Sequence, residues 1–269
     1  MDERELTAGI LTIGNEVIDG HVLDTNANWM EKQLVRLGVE IRRQVTVRDE
    51  VKEIGKGLEF LCEVCDVVIT SGGLGPTHDD MTLYAIAVAF DQELAIDKEA
   101  LEIVMRQYKI LFKEKIVATE EMTESRLKMA TIPVGGKALD NTVGGAPGVL
   151  LTYRGSTIFC LPGVPAELKD IWENSVKPWI AENVKGAYYE EIVDFEVVDE
   201  SVFAPHIHSA IMKNPRVWIK SMPKKYGTTR VMRVWISSRG KHESEVKQNV
   251  KVALTSLIRE SGLSTIGDE

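Results

Sequence analysis

The chain has 269 residues, of which 44% are apolar and 27% charged, with a net charge of −9. That balance suits a folded protein with a sizeable core and excludes a disordered or collagen-like chain. No apolar run approaches the ~20 residues needed to cross a bilayer, so no membrane partner is expected. The charged opening Met1-Asp2-Glu3-Arg4-Glu5 is wrong for a signal peptide, and a cytoplasmic location is expected.

The run Ala8–Ile13 reads as a buried strand ended by Gly14, and Asp24-Thr25-Asn26 supplies caps for a helix. Met30, Leu34 and Leu37 repeat at helical spacing until Gly38. Val39, Ile41, Val45 and Val47 then follow with a strand period. A helical pattern covers Val51 to Cys65. It contains Cys62 and Cys65, a lone CxxC with no second pair, which reads as buried thiols and not as zinc or redox chemistry.

Asp66-Val67-Val68-Ile69 reads as a further buried strand, and Thr82–Phe90 as a helix. Between them stands Thr70-Ser71-Gly72-Gly73-Leu74-Gly75-Pro76-Thr77-His78-Asp79-Asp80-Met81. A glycine-rich turn from a strand into a helix can offer backbone N–H groups to an anion and approach it closely. It is neither a P-loop, having no lysine, nor a dinucleotide turn, because Gly73-Leu74-Gly75-Pro76-Thr77-His78 lacks the last glycine. Asp79 and Asp80 would repel a phosphate unless a hard divalent cation lay between them. The plain alternative is a connection in which one of the two caps the helix.

Helices are expected over Lys98–Lys115 and Thr119–Met129. A second glycine-rich loop, Asn141–Gly148, follows. Strands Val149–Tyr153 and Thr157–Leu161 flank the Arg154-Gly155 turn. Leu161-Pro162-Gly163-Val164-Pro165 then opens a helix to about Glu182. This alternation predicts an α/β domain over residues 1–184, a parallel sheet with a mixed edge and helices on both faces.

A junction is expected near Val184-Lys185-Gly186. Beyond it, strand Glu190–Val198, helix Val202–Met212, strands Val217–Ser221 and Val231–Ser237 and helix Glu243–Ser261 predict a small α+β domain over residues 185–269. Charge changes at the same place. Residues 1–183 carry 19 basic and 30 acidic groups, whereas residues 184–269 carry 13 and 11. Ser201 to His242 holds nine Lys or Arg and no acid, interleaved with Trp218, Tyr226 and Trp235. Such a stretch serves a phosphate ligand, an interface or nucleic acid. No GXXG loop stands in residues 186–269, so nucleic acid is not the expected partner. His206 and His208 form an isolated HxH with no metal role expected.

Four motifs in order resemble one family. Gly14-Asn15-Glu16-Val17-Ile18-Asp19-Gly20 with Asp24-Thr25-Asn26, the Ser71–Asp80 loop, Asn141–Gly148 and Leu161–Pro165 look like the N-terminal domain of the competence/damage-inducible family, CinA. That domain is similar to the molybdopterin-binding fold of the molybdenum-cofactor proteins MoaB and MogA. Residues 186–269 resemble the KH-type middle domain of the family. No counterpart of its C-terminal nicotinamide-mononucleotide deamidase domain is expected, and that activity is not carried over. The resemblance implies a pyrophosphatase acting on ADP-ribose or a related nucleotide, dependent on Mg²⁺, Mn²⁺ or Co²⁺. The alternative is a protein that binds molybdopterin or a nucleotide without turnover. A homo-oligomer is also implied.

On this reading Asp80 and Asp49 are the candidate catalytic acids, Asp49 standing after the second strand, where α/β folds place ligands. Glu16, Asp24, Asp79 and Asp80 are the candidate metal ligands, an oxygen set suited to Mg²⁺ or Mn²⁺. Ser71, Gly72, Gly73, Gly75, Thr77, His78, Asn26, Gly145, Pro162 and Gly163 are the candidate ligand-binding residues. Asp24, Asp49 and Asp79 each have a competing role as a helix cap, and His78 a competing role as an exposed loop residue.

Overall fold

The computed structural model describes residues 5–197, 199–223 and 231–266. By internal contacts these form two compact units, residues 5–35 with 39–184, and residues 36–38 with the described part of 185–266.

The larger unit runs β1 (Thr7–Ile13), α1 (Asn15–Ile18), α2 (Thr25–Arg36), β2 (Glu40–Val47), α3 (Val51–Cys62), β3 (Val67–Ser71) and α4 (Thr82–Ala89). It continues with β4 (Leu94–Ile96), α5 (Lys98–Lys113), α6 (Glu124–Met129), β5 (Thr131–Pro133) and β6 (Lys137–Leu139). Strands β7 (Gly148–Tyr153) and β8 (Ser156–Leu161) then lead into α7 (Pro165–Ile171), a π-helical segment at Trp172–Val176 and α8 (Lys177–Asn183). The main sheet has the order β2-β1-β3-β8-β7-β6. Its first four strands are parallel; β7 runs antiparallel to β8, and β6 antiparallel to β7. This is the mostly parallel, mixed-edge α/β sheet expected from the strand–helix alternation.

Every residue of β1 and β3 is buried, because helices cover both faces of the centre of the sheet. Leu11, Val68, Ile158 and Cys160 meet Leu58, Leu61, Ile86 and Val104 in one apolar cluster. Pairing Ile13 with Val47, Thr12 with Ser71, and Ser71 with Leu161 brings the ends of the four parallel strands level. The loops after β1, β2, β3 and β8 therefore leave the sheet along a single edge.

Several boundaries differ from those the pattern suggests. Helix α3 stops at Cys62, and Cys65 lies in the turn beyond it, its N–H returning to Leu61 O at 3.0 Å. Helix α6 begins at Glu124 and not near Thr119, because the Thr123 hydroxyl accepts the Arg126 N–H and caps it. The helix after Pro165 is broken by its π-helical segment. Strands β4, β5 and β6 are three residues each, too short for a period to show.

The second unit comprises β9 (Ala187–Glu196), α9 (Glu200–Lys213), β10 (Val217–Pro223), β11 (Val231–Gly240), α10 (Glu243–Ser261) and β12 (Thr265–Ile266). Its sheet, β10-β11-β9-β12, is wholly antiparallel. Phe195, Phe203, Ile236 and Leu257 are central to its core. His206 and His208 lie on α9. Trp218 and Trp235 meet edge to face at 4.9 Å. Lys224, Lys225, Tyr226 and Arg230 of the basic stretch, and Val198 at the expected strand end, lie outside the described residues. No described helix is long and apolar enough to cross a membrane.

Candidate functional site

The loops leaving the sheet edge enclose a cleft of about 420 Å³ in the larger unit. Its floor is the glycine turn after β3. Gly72 and Gly73 hold φ of 111° and 71°, values that side-chain-bearing residues rarely adopt. A Cβ on Gly72 would overlap the Ile13 carbonyl oxygen, and one on Gly73 the Thr82 hydroxyl. Thr82 Oγ1 donates to Gly72 O at 2.8 Å, and Thr82 N–H to Gly73 O at 3.1 Å, pinning the turn to the first residue of α4. Among the described residues, the backbone N–H groups of Gly73, Leu74 and Gly75 have no partner within the protein.

Asn26, in the first turn of α2, ties the end of β3 to the loop after β8. Its Nδ2 donates to Ser71 Oγ at 3.0 Å and to Gly163 O at 2.8 Å. Pro162 and Gly163 line the cleft directly, as do Gly72, Gly73, Gly75 and Gly145. Ser71 is buried beneath the turn and reaches the site through Asn26.

The carboxylates divide by what already holds them. Asp80 Oδ2 accepts the Thr77 N–H at 2.9 Å and faces the Thr77 hydroxyl at 2.6 Å, which closes the loop on itself. Asp79 is also within reach of the Thr77 hydroxyl, and that contact holds its carboxyl below the usual range. Lys128 reaches across to the Thr77 carbonyl. Asp49 accepts the Asn15 N–H at 2.8 Å. Partial burial pushes the Asp49 carboxyl up, as do the nearby negative charges of Glu16 and Asp79. Glu16, Asp49, Asp79 and Asp80 all line the cleft.

Asp24 does not line it. One of its oxygens accepts the Ala27 N–H at 2.8 Å and caps α2, and the other accepts the Thr12 hydroxyl at 2.6 Å. His78 turns outward with 98% of its side chain exposed, 3.8 Å from Asp79, beside a neighbouring apolar pocket of about 330 Å³. Asp24 and Asp80 are thus committed to backbone and hydroxyl donors. Among the described residues no three His, Cys, Asp or Glu side chains converge to hold a metal ion. The four acids Glu16, Asp24, Asp79 and Asp80 do not form one donor set as placed.

Two residues that line the cleft, and a third that bonds to one of them, escape a reading of the sequence. Tyr108 comes from the middle of α5, its ring held 3.9 Å from the Arg126 guanidinium. Glu167 stands in the first turn of α7, where an acid looks like an ordinary partner of the helix dipole. Asn141 is fully buried and organises the second glycine loop. Its Nδ2 donates to Ala146 O at 2.7 Å and to Glu167 Oε2 at 2.6 Å. Its Oδ1 accepts the Val143 and Gly144 N–H groups at 3.1 and 2.9 Å. A buried Asn in a polar loop was the available signal for this last one, since it must satisfy four hydrogen-bonding sites locally.

Comparison with known proteins places residues 9–182 in a family described as a probable molybdopterin binding domain. A protein of Aeropyrum pernix is 40% identical over 223 residues, covering 82% of this chain and 81% of the relative. One from Metallosphaera sedula is 36% identical over 261 residues, covering 95% and 96%. Among solved structures, the protein CinA of unknown function from Thermoplasma acidophilum is 36% identical with a TM-score of 0.58, covering 65% of this chain and 98% of that one.

Proposed function

The chain belongs to the probable molybdopterin binding domain family and is CinA-like over that domain, and from this premise we propose that its cleft binds a phosphate-bearing ligand of molybdopterin or nucleotide type. One observation carries the reading. Three successive backbone N–H groups, Gly73 to Gly75, stand unpaired in a turn whose glycines allow close approach. Unpaired backbone donors cost stability unless a ligand or water takes them, and an array of them favours an anion. Asn26 and the Pro162-Gly163 loop set the width of the opening, while Tyr108 and Met129 supply apolar wall. The experiment is calorimetric titration with pyrophosphate and with ADP-ribose. Saturable binding that Gly72→Ala abolishes supports the reading, and the absence of heat with both ligands sinks it.

A second reading is hydrolysis of the diphosphate of ADP-ribose or a related nucleotide. It is favoured by Asp49, a carboxylate in the cleft whose affinity for a proton is raised by burial and by Glu16 and Asp79. Such a group can take a proton from an attacking water. Incubation with ADP-ribose, with and without Mg²⁺, Mn²⁺ or Co²⁺, tests it through the release of AMP. Binding without AMP under every condition leaves the binding reading alone.

A further inference from the structure

The cleft that offers N–H donors to an anion is lined by the carboxylates of Glu16, Asp49, Asp79, Asp80 and Glu167, and by no Lys, Arg or His among the described residues. A phosphate group at the Gly73–Gly75 turn meets that negative field with backbone dipoles alone in its favour. Either the ligand brings a cation with it, or the protein supplies one from outside the cleft wall.

Lys128 is placed to supply it. Gly73, Leu74, Gly75 and Asp80 line both the cleft and the neighbouring apolar pocket, so the glycine turn is a thin partition between the two. Met129 lines the cleft, whereas Lys128, the residue before it on α6, lines the pocket behind the partition. The Lys128 ammonium donates to the Thr77 carbonyl, which fastens it to the loop. It makes no salt bridge among the described residues, so no direct partner cancels its charge. The Thr77 hydroxyl does most to hold the Asp79 carboxyl below its usual range, and the Lys128 charge adds to it. Other cations nearby are engaged elsewhere. Arg48 pairs with Asp19, and Arg126 packs on the Tyr108 ring and donates to Thr119 O and Glu121 O. Across a turn of glycines, with apolar walls behind it, the field of an ammonium is screened less than in open water.

We propose that Lys128 is a positioning residue for the anion. It fastens the glycine loop through Thr77 and supplies, through the turn, the positive charge that offsets the acids of the cleft, so that phosphate binds without a divalent cation. The proposal rests on the phosphate-binding reading above and says how that site tolerates its own carboxylates.

The test is calorimetric titration of the full chain with pyrophosphate in EDTA, at about 0.1 M and about 1 M NaCl, between which the screening length falls from about 10 Å to about 3 Å. Lys128→Met is expected to weaken binding roughly tenfold at the lower salt and to come within about twofold of the wild type at the higher, where the lysine charge no longer reaches the ligand. Lys128→Arg keeps the charge and is expected to stay within about threefold of the wild type throughout. A deficit in Lys128→Met that persists at the higher salt, or that Lys128→Arg shares, marks a fastener of loop shape and overturns the electrostatic role. Wild-type affinity in Lys128→Met at the lower salt overturns the inference outright. Wild-type binding that appears only when Mg²⁺ replaces EDTA also overturns it, because the ligand then brings its own cation, and leaves the phosphate site standing. Failure to bind pyrophosphate with or without Mg²⁺ overturns the underlying phosphate-site reading and this inference with it.

Discussion

Asn26 Nδ2 donates to the carbonyl oxygen of Gly163 at 2.8 Å, a bond between residues 137 positions apart. The same nitrogen reaches Ser71 Oγ at 3.0 Å, so one amide fixes the loops after β3 and β8 against the start of α2. Asn26→Leu removes a donor shared by two acceptors, and Ser71 is buried. The expected cost is about 1–2 kcal/mol of stability in urea unfolding. Pyrophosphate affinity should fall by roughly tenfold or more, because the opening is no longer held. Unchanged affinity in a folded variant would detach Asn26 from the site.

Gly72→Ala has no room. The backbone sits at φ 111°, and the new methyl group would overlap the Ile13 carbonyl oxygen. Strain of about 1–3 kcal/mol is expected, together with loss of measurable phosphate binding as the turn shifts. Gly135→Ala is the control. It shares a positive φ, 87°, but nothing lies near its added methyl group, so it should lose stability through backbone strain and keep its ligand affinity.

Asp80→Asn keeps an oxygen that can accept the Thr77 N–H, now 2.9 Å from Asp80 Oδ2, so the fold should survive within about 1 kcal/mol. Removing a negative charge beside the glycine turn should strengthen pyrophosphate binding. If the protein cleaves ADP-ribose, AMP release should drop by roughly 10²-fold. A variant that binds and turns over like the wild type would leave Asp80 as a loop fastener and return attention to Asp49.

The contribution of Asp49 and Glu167 to stability should fall as pH rises past the ordinary carboxylate range. Burial raises the folded-state proton affinity of Asp49 and Glu167 above that of the unfolded chain. Between their unfolded and raised folded pKa values these two groups hold more protons in the native state, and the stability they contribute declines with increasing pH. It is fully retained below the unfolded values. Urea midpoints between pH 4 and pH 8 measure this, and Glu167→Gln should show a shallower decline whatever its absolute stability. A steeper one would contradict the burial of a charged Glu167.

The three thiols should resist modification in the native state. Cys65 and Cys160 are buried, which pushes their thiols up to about 11 and about 12, and burial also raises Cys62. At pH 8 almost no thiolate is present on Cys65 or Cys160. Ellman's reagent should titrate none rapidly before unfolding and three after it. Rapid reaction of Cys62 or Cys65 would reopen a redox role for the pair.

Local chemistry determined much of this protein. The apolar runs Ala8–Ile13 and Asp66–Ile69, with helical periods between them, specify a parallel sheet, because only strands covered on both faces read as continuous apolar runs. The glycines at positions 72 and 73 mark a turn with no room for a side chain, since a Cβ there would overlap Ile13 O or Thr82 Oγ1. The pairings between residues far apart were decided only by the tertiary structure. Register along the sheet sets Gly14, Asp49, Gly72 and Pro162 at one edge, and the fold brings the Thr12 hydroxyl to Asp24, whereas Asp80 is held by Thr77 within its own loop. Asp79 and Asp80 meet Thr77 within their own loop and Asp24 caps α2 locally, but the second bond of Asp24, from Thr12, depends on the fold. Tyr108 and Glu167 entered the cleft for the same reason. Each lies on a helix whose own period explains it fully, and only packing turned its side chain toward the glycine loops.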